Sequence, residues 1–301
     1  VTAHDFEYTF KRLLDPNSGN TTAVFYYEIK GAKAFNQGKS TDSNTVGVKA
    51  VDDYTFVVET ESPCPYFPLI ASFPTSGPVP RWQVEKYGPK WTEEGKCVSN
   101  ATFKLTEWRQ GSHYEFALDP NYNGPHKAFI ERVVGKFSNL TMMPGNTLAY
   151  ENNEIDFQNI TPGDVARIKK DPQLMKELDI SAGFQTHYLY FDTRTAPFNN
   201  LKVRQAFAHA IDRDILCRIL LQGIGQPAYS MLPPGFPGHA GGKFKDTQRF
   251  DPAMAKSLLM EAGYPNGRGF PRYELWINSV NNRNVALFIQ QMLKQNLNVD
   301  I

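Results

Sequence analysis

The stretch that decides the fold runs from residue 196 to residue 235, APFNNLKVRQAFAHAIDRDILCRILLQGIGQPAYSMLPPG. Val203, Phe207, Ala210 and Ile211 recur at helical spacing and form one apolar face. Ile215, Leu216, Ile219 and Leu220 form a second such face, which Gly223 caps at its C-terminal end. A proline-rich exit follows. The stretch specifies structure densely and offers no nucleophile or metal-ligand spacing. Gly223-Ile224-Gly225-Gln226-Pro227-Ala228 shares letters with a dinucleotide fingerprint, but it follows a helix instead of a strand, and Pro227 removes a donor from the turn.

Working outward, HYLYFDT (187–193) predicts a strand, so Tyr188 and Tyr190 share a face. On the other side, Asp251 and Pro252 open a helix whose face is Leu258, Leu259 and Ala262, ended by Gly263. YELWIN (273–278) predicts a strand, and Val285, Phe288, Ile289, Met292 and Leu293 an amphipathic helix. With the strand pattern LNVDI after it, this β-α-β order implies a parallel strand pair.

Toward the N-terminus, Thr2 caps a helix carrying Phe6, Phe10, Leu13 and Leu14 on one face, stopped at Asp15-Pro16. Residues 28–45 read as a polar loop. VGVKAVDDYTFVVET predicts a hairpin turning at Asp52-Asp53. The proline-rich run SPCPYFPLIASFPTSGPVP excludes a central strand and marks a domain boundary near Pro80. A second hairpin spans 102–118 with its turn at Gly111-Ser112. A strand at 133–137, a helix near 144–152, a short strand at 155–158 and a helix opened by Thr161-Pro162-Gly163-Asp164 complete the middle.

Bulk properties bound the function. A formal charge of +1 over 301 residues argues against nucleic acid as a partner, and no run of apolar residues is long enough to span a membrane. The six histidines are scattered without ligand spacing, which argues against a metal. His187, inside the aromatic strand, is the one histidine placed to meet a ligand. Gly38-Lys39-Ser40-Thr41 lacks the preceding glycine and the strand of a phosphate loop. No GxSxG elbow is present. Cys217 sits in an apolar run and reads as a buried thiol; Cys64 and Cys97 are open to a disulfide or to two free thiols. The chain starts at a helix and stops in a strand pattern, so it reads as an internal piece of a longer protein.

The segment PFNNLKVRQAFAHAIDRDIL with GIGQPAYSMLPPGFPG resembles the family 5 extracellular solute-binding proteins, the peptide-binding components of bacterial ABC importers. The likeness extends in order through VTAHDFEYTFKRLLDP, VKAVDDYTF, SPCPYFPLI, FKLTEWR, NNEIDFQNI, FDPAMAKSLLMEAGYP and IQQMLKQNLNVDI. It implies an α/β periplasmic-binding-protein-like fold of the three-domain, type II kind, two lobes closing over a ligand, incomplete here at both ends. Residues 1–80 would be the remainder of the small second domain, 81–183 part of the central sheet domain I, and 184–301 the first part of domain III. It further implies a monomer without cofactor, located in the periplasm or on the outer face of the membrane, whose partners are a peptide or other small solute and the permease. The ligand-binding positions it implies are Phe73, Gln158, Asn159, Tyr188 and Tyr190, beside His187. Tyr190 stands where oligopeptide binders of the family can carry an acidic residue. Asn100-Ala101-Thr102 and Asn121-Tyr122-Asn123 depart from the family pattern. A non-peptide cargo (an oligosaccharide, a nickel complex or an opine) remains the alternative within the fold, and a hydrolase would need a motif that the chain lacks.

Overall fold

The computed structural model describes residues 1–137, 147–181, 183–279 and 282–301. The chain divides into two units, Val1–Thr141 and Met142–Ile301.

In the first unit, helix α1 (Ala3–Leu14) begins at a capping box in which the Thr2 amide donates to Asp5 Oδ2 at 2.8 Å. Phe10, Leu13 and Leu14 are buried against Tyr26, Ile29, Val46 and Val48. The expected loop at 28–45 contains a short helix, α2 (Ala32–Asn36), that buries Ala32 and Phe35. An apolar pair three residues apart is too brief a signal to read as a helix without its core. The proline-rich run forms helix α3 (Phe67–Ala71), and α4 (Arg81–Tyr87) follows.

Strands β1 (Val48–Ala50) and β2 (Phe56–Val58) pair antiparallel around the Asp52 turn, with Val48 opposite Val58. A three-stranded antiparallel sheet joins β3 (Phe103–Arg109), β4 (His113–Leu118) and β5 (Arg132–Lys136). Gly111 takes φ +75° in the β3–β4 turn, where an L side chain would be strained, so this glycine lets the hairpin close.

The second unit is helical among its described residues. It holds α5 (Thr147–Glu151), α6 (Pro162–Ile168), α7 (Leu174–Glu177), α8 (Leu201–Ala210), α9 (Arg213–Ile215), α10 (Pro252–Glu261) and α11 (Arg283–Leu297). Residues 144–146 of the expected helix at 144–152 lie outside the described residues. Asp164 completes the predicted cap of α6, and Asp251 Oδ1 accepts the Met254 amide at 3.0 Å to cap α10. The core is aromatic: Phe207 meets Phe198 at 5.4 Å and Phe270 at 5.6 Å between ring centroids, over buried Val203, Ala255, Leu259 and Leu293.

Three expectations fail here. The parallel strand pair does not form among the described residues: both sheets are antiparallel and belong to the first unit. Residues 187–192, 273–278 and 155–158 lack ladders. The LNVDI tail turns back onto α11 instead, through Asn298 at φ +56°, whose amide bonds Lys294 O at 3.0 Å.

Of the predicted face Ile215, Leu216, Ile219 and Leu220, Ile215 and Ile219 point outward, while Leu216 packs on the core and Cys217 is buried. The turn after α9 is widened, with the Leu221 amide reaching back five residues to Leu216 O at 3.1 Å. That winding rotates Ile219 away from the face that helical spacing assigns it. Cys64, Cys97 and Cys217 are all free thiols.

Candidate functional site

From Tyr188 to Phe191 the side chains alternate between solvent and core. Leu189 and Phe191 pack on the core, Phe191 stacking on Phe198 at 4.7 Å. Tyr188 and Tyr190 face the other way, 60% and 85% exposed, with ring centroids 6.5 Å apart. The shared face read from the sequence is therefore present without a strand ladder. His187 is exposed beside them.

The start of the segment is tied to another stretch of chain, and its exit is folded by a local contact. Thr186 Oγ1 donates to Met231 O at 2.9 Å, and Phe184 sits edge-on against Phe236 at 5.0 Å. At the exit, Arg194 grips Asp192 through Nε at 2.8 Å and Nη2 at 3.0 Å. Those side-chain bonds, with the Arg194 amide, hold the Asp192 carboxyl down at about 2. The outcome is a pinned ribbon offering two phenols, each able to pack on a ligand and to exchange hydrogen bonds with it.

Gln158 is half-buried, and its Oε1 is the one buried side-chain polar atom without a hydrogen-bond partner among the described residues. An orphaned buried acceptor costs roughly 1–3 kcal/mol. Asn159 next to it is exposed. Phe73, in the first unit, is 39% exposed and meets Phe25 edge-on at 5.5 Å. Its turn is anchored by the buried Tyr26, whose hydroxyl bonds Thr75 Oγ1 at 2.7 Å and Ser76 Oγ at 2.8 Å. Of the six positions, Tyr188 and Tyr190 are the pair brought into ring contact.

One feature of the second unit escaped the sequence analysis. A cavity of about 980 Å³ opens beside Tyr229 and is lined by Lys169, Arg218, Lys245 and Arg249 together with Asp212 and Asp214. Arg213 stacks on the Tyr229 ring from one side at 5.5 Å, and Lys245 stands over it at 5.8 Å. The Arg213 guanidinium donates to backbone carbonyls, Gln248 O at 2.7 Å and Ala208 O at 3.1 Å, and burial pushes its pKa down. These cations come from separate stretches, so spacing along the chain gave no signal. Among the described residues no cluster of metal-ligating side chains occurs, and no helix is long and apolar enough to cross a membrane.

The chain belongs to the bacterial extracellular solute-binding proteins, family 5, whose model matches residues 1–301. It is 32% identical to the periplasmic oligopeptide-binding protein OppA of Salmonella typhimurium, over 100% of this chain and 56% of the relative. Among solved structures, the murein tripeptide binding protein MppA of Escherichia coli superposes with a TM-score of 0.81 at 27% identity, over 100% of this chain and 59% of that one. OppA of Haemophilus influenzae, solved in complex with the peptide RPPGFSPFR, gives 0.76 at 26% identity, over 100% and 60%. The chain thus spans little more than half the length of these relatives, and its architecture is the α/β fold of the periplasmic peptide-binding proteins.

Proposed function

We propose that the protein containing this chain is the substrate-binding component of an ABC importer, acting outside the cytoplasmic membrane. It captures peptides and delivers them, as a monomer, to the membrane permease. The observation that carries this reading is the pinned ribbon with Tyr188 and Tyr190 turned outward. Phenols on a fixed backbone suit a ligand whose main chain repeats donors and acceptors while its side chains vary. The orphaned Gln158 Oε1 adds an acceptor for a peptide N–H, and Asn159, His187 and Phe73 are further contact positions. Residues 1–80, 81–183 and 184–301 correspond in this reading to the second domain, domain I and domain III. The role is binding, not catalysis.

Native mass spectrometry, compared with the denatured mass, tests the cargo. A ladder of released peptide masses is the expected result. The aromatic, uncharged face of Tyr188 and Tyr190 favours a second reading, a non-peptide solute such as an oligosaccharide, and a single non-peptide mass would replace the first with it. Tyr190→Ala is expected to weaken peptide binding by about tenfold while changing stability by under about 0.5 kcal/mol. Unchanged affinity in calorimetric titration removes Tyr190 from the site.

A further inference from the structure

We propose that the cavity beside Tyr229 is a binding site for an anionic group, a carboxylate or phosphate borne by a small ligand. Lys169, Arg218, Lys245 and Arg249 face Asp212 and Asp214 across it, so cations outnumber carboxylates. The two signs are not equally free. Asp212 Oδ1 is engaged as a helix cap, accepting the Ile215 amide at 3.0 Å.

The cations are unequally neutralised. Arg218 and Lys245 make no ion pair among the described residues, and Lys245 stands over the Tyr229 ring instead. Arg249 is the paired one, with carboxylates at 3.7 Å in Asp246 and 3.9 Å in Asp251. Lys169 Nζ donates to a carbonyl, Gln222 O, at 3.2 Å. Behind the wall, Arg213 adds a guanidinium whose hydrogen-bond partners are carbonyls, with Asp214 as the nearby opposite charge.

The excess of cations along this open depression makes its local potential positive. An entering oxyanion gains charge-assisted hydrogen bonds from Arg218 and Lys245, which make no ion pair among the described residues. An ammonium group is repelled by the same field. At about 980 Å³ the space accommodates a small organic acid or an acidic side chain. The site stands on these charges and not on the peptide reading.

The test is a ¹⁵N–¹H NMR titration with glutarate and with inorganic phosphate, at ionic strength held constant with chloride. The Gly223 and Gly225 amides in the cavity wall are the reporters. Saturable shifts are expected, weakened at least about fivefold by Arg218→Gln with Lys245→Gln. Both residues are exposed, so an unchanged Tm verifies that the double variant folds. Lys256→Gln removes one charge from the exposed face of α10, outside the cavity, and leaves the curve unchanged.

Comparing Ala-Glu-Ala with Ala-Lys-Ala separates the sources. Tighter binding of the glutamate peptide assigns the anion to a peptide side chain, whereas saturation by phosphate or glutarate without that preference assigns it to a free oxyanion. Either supports the site, and anion binding with no peptide binding would sink the peptide reading alone. Shifts that stay linear in concentration, or curves identical in the double variant and the wild type, overturn the proposal.

Discussion

Residues 103–118 and 187–192 carry the same alternation of side chains, yet they solve the backbone problem differently. In the first, Gly111 turns the chain so that β3 and β4 pair from Phe103 opposite Leu118 to Arg109 opposite His113. In the second, no backbone amide from His187 to Phe191 finds a hydrogen-bond partner among the described residues. Leu189 and Phe191 dock on the helical core, a side chain ties the start to another stretch of chain, and a local contact folds the exit. Alternation therefore specifies which face is apolar, while a ladder requires a turn or a neighbour that alternation does not encode.

The comparison is sharpest where the docking surface can be removed. Phe207 is buried and touches both Phe191 and Phe198. Phe207→Ala is expected to cost about 3–5 kcal/mol, read as a fall in the urea midpoint, because aromatic neighbours on several sides cannot all collapse into the void. Phe116→Ala in β4 leaves the ladder intact around a half-buried site and costs less. A larger loss at Phe116 than at Phe207 would reverse the account of which region rests on packing.

Amide hydrogen exchange addresses the backbone directly. Amides bonded within β3–β4 are expected to exchange at least about a hundredfold more slowly than those of 187–191, corrected for intrinsic rates. Equal protection would mean that the ribbon finds backbone partners in solution, and the contrast would vanish.

A smaller effect tests the turn. Gly111→Ala places a Cβ where nothing lies within 4 Å, so its whole cost is the positive φ, about 1–2 kcal/mol. A D-alanine at the same position restores stability. If both versions were neutral, the glycine would not be what closes the hairpin.

These elements also show what the sequence made legible. Apolar periodicity makes α1, α8, α10 and α11 legible, with Thr2 and Asp251 adding caps for α1 and α10, because both signals are local to the chain. α2 was missed because five residues carry too little period, and its reason to exist is the burial of Ala32 and Phe35 in a core assembled from elsewhere. The patterns at 187–193 and 273–278 predict strands, but alternation fixes faces only. The outward pair of Tyr188 and Tyr190 was legible for that same reason. The orphaned oxygen of Gln158 and the cations around Tyr229 were not, since burial and convergence are tertiary facts.

The smallest effect concerns the exits of the two regions. The hairpin turn is closed by a backbone bond, the Ser112 amide to Arg109 O at 3.0 Å, which does not titrate. The ribbon's exit is closed by the Asp192–Arg194 fork, which does. Hydrogen bonds from the Arg194 side chain, and then from its amide, lower the Asp192 pKa from 3.8 to about 2. A depressed carboxylate contributes to the fold above its unfolded value and loses that contribution as pH falls through the folded one. The fork is therefore whole above about pH 4 and opens as pH falls through about 2, while the turn at 109–112 stays unchanged. Both side chains are exposed, so salt weakens the effect. The Asp192 carboxyl ¹³C shift, followed against pH, gives the midpoint, and Arg194→Ala should return it toward the ordinary aspartate value. A wild-type midpoint already at that value would show that the fork does not pin the ribbon, leaving its exit held by the packing of Phe191 alone.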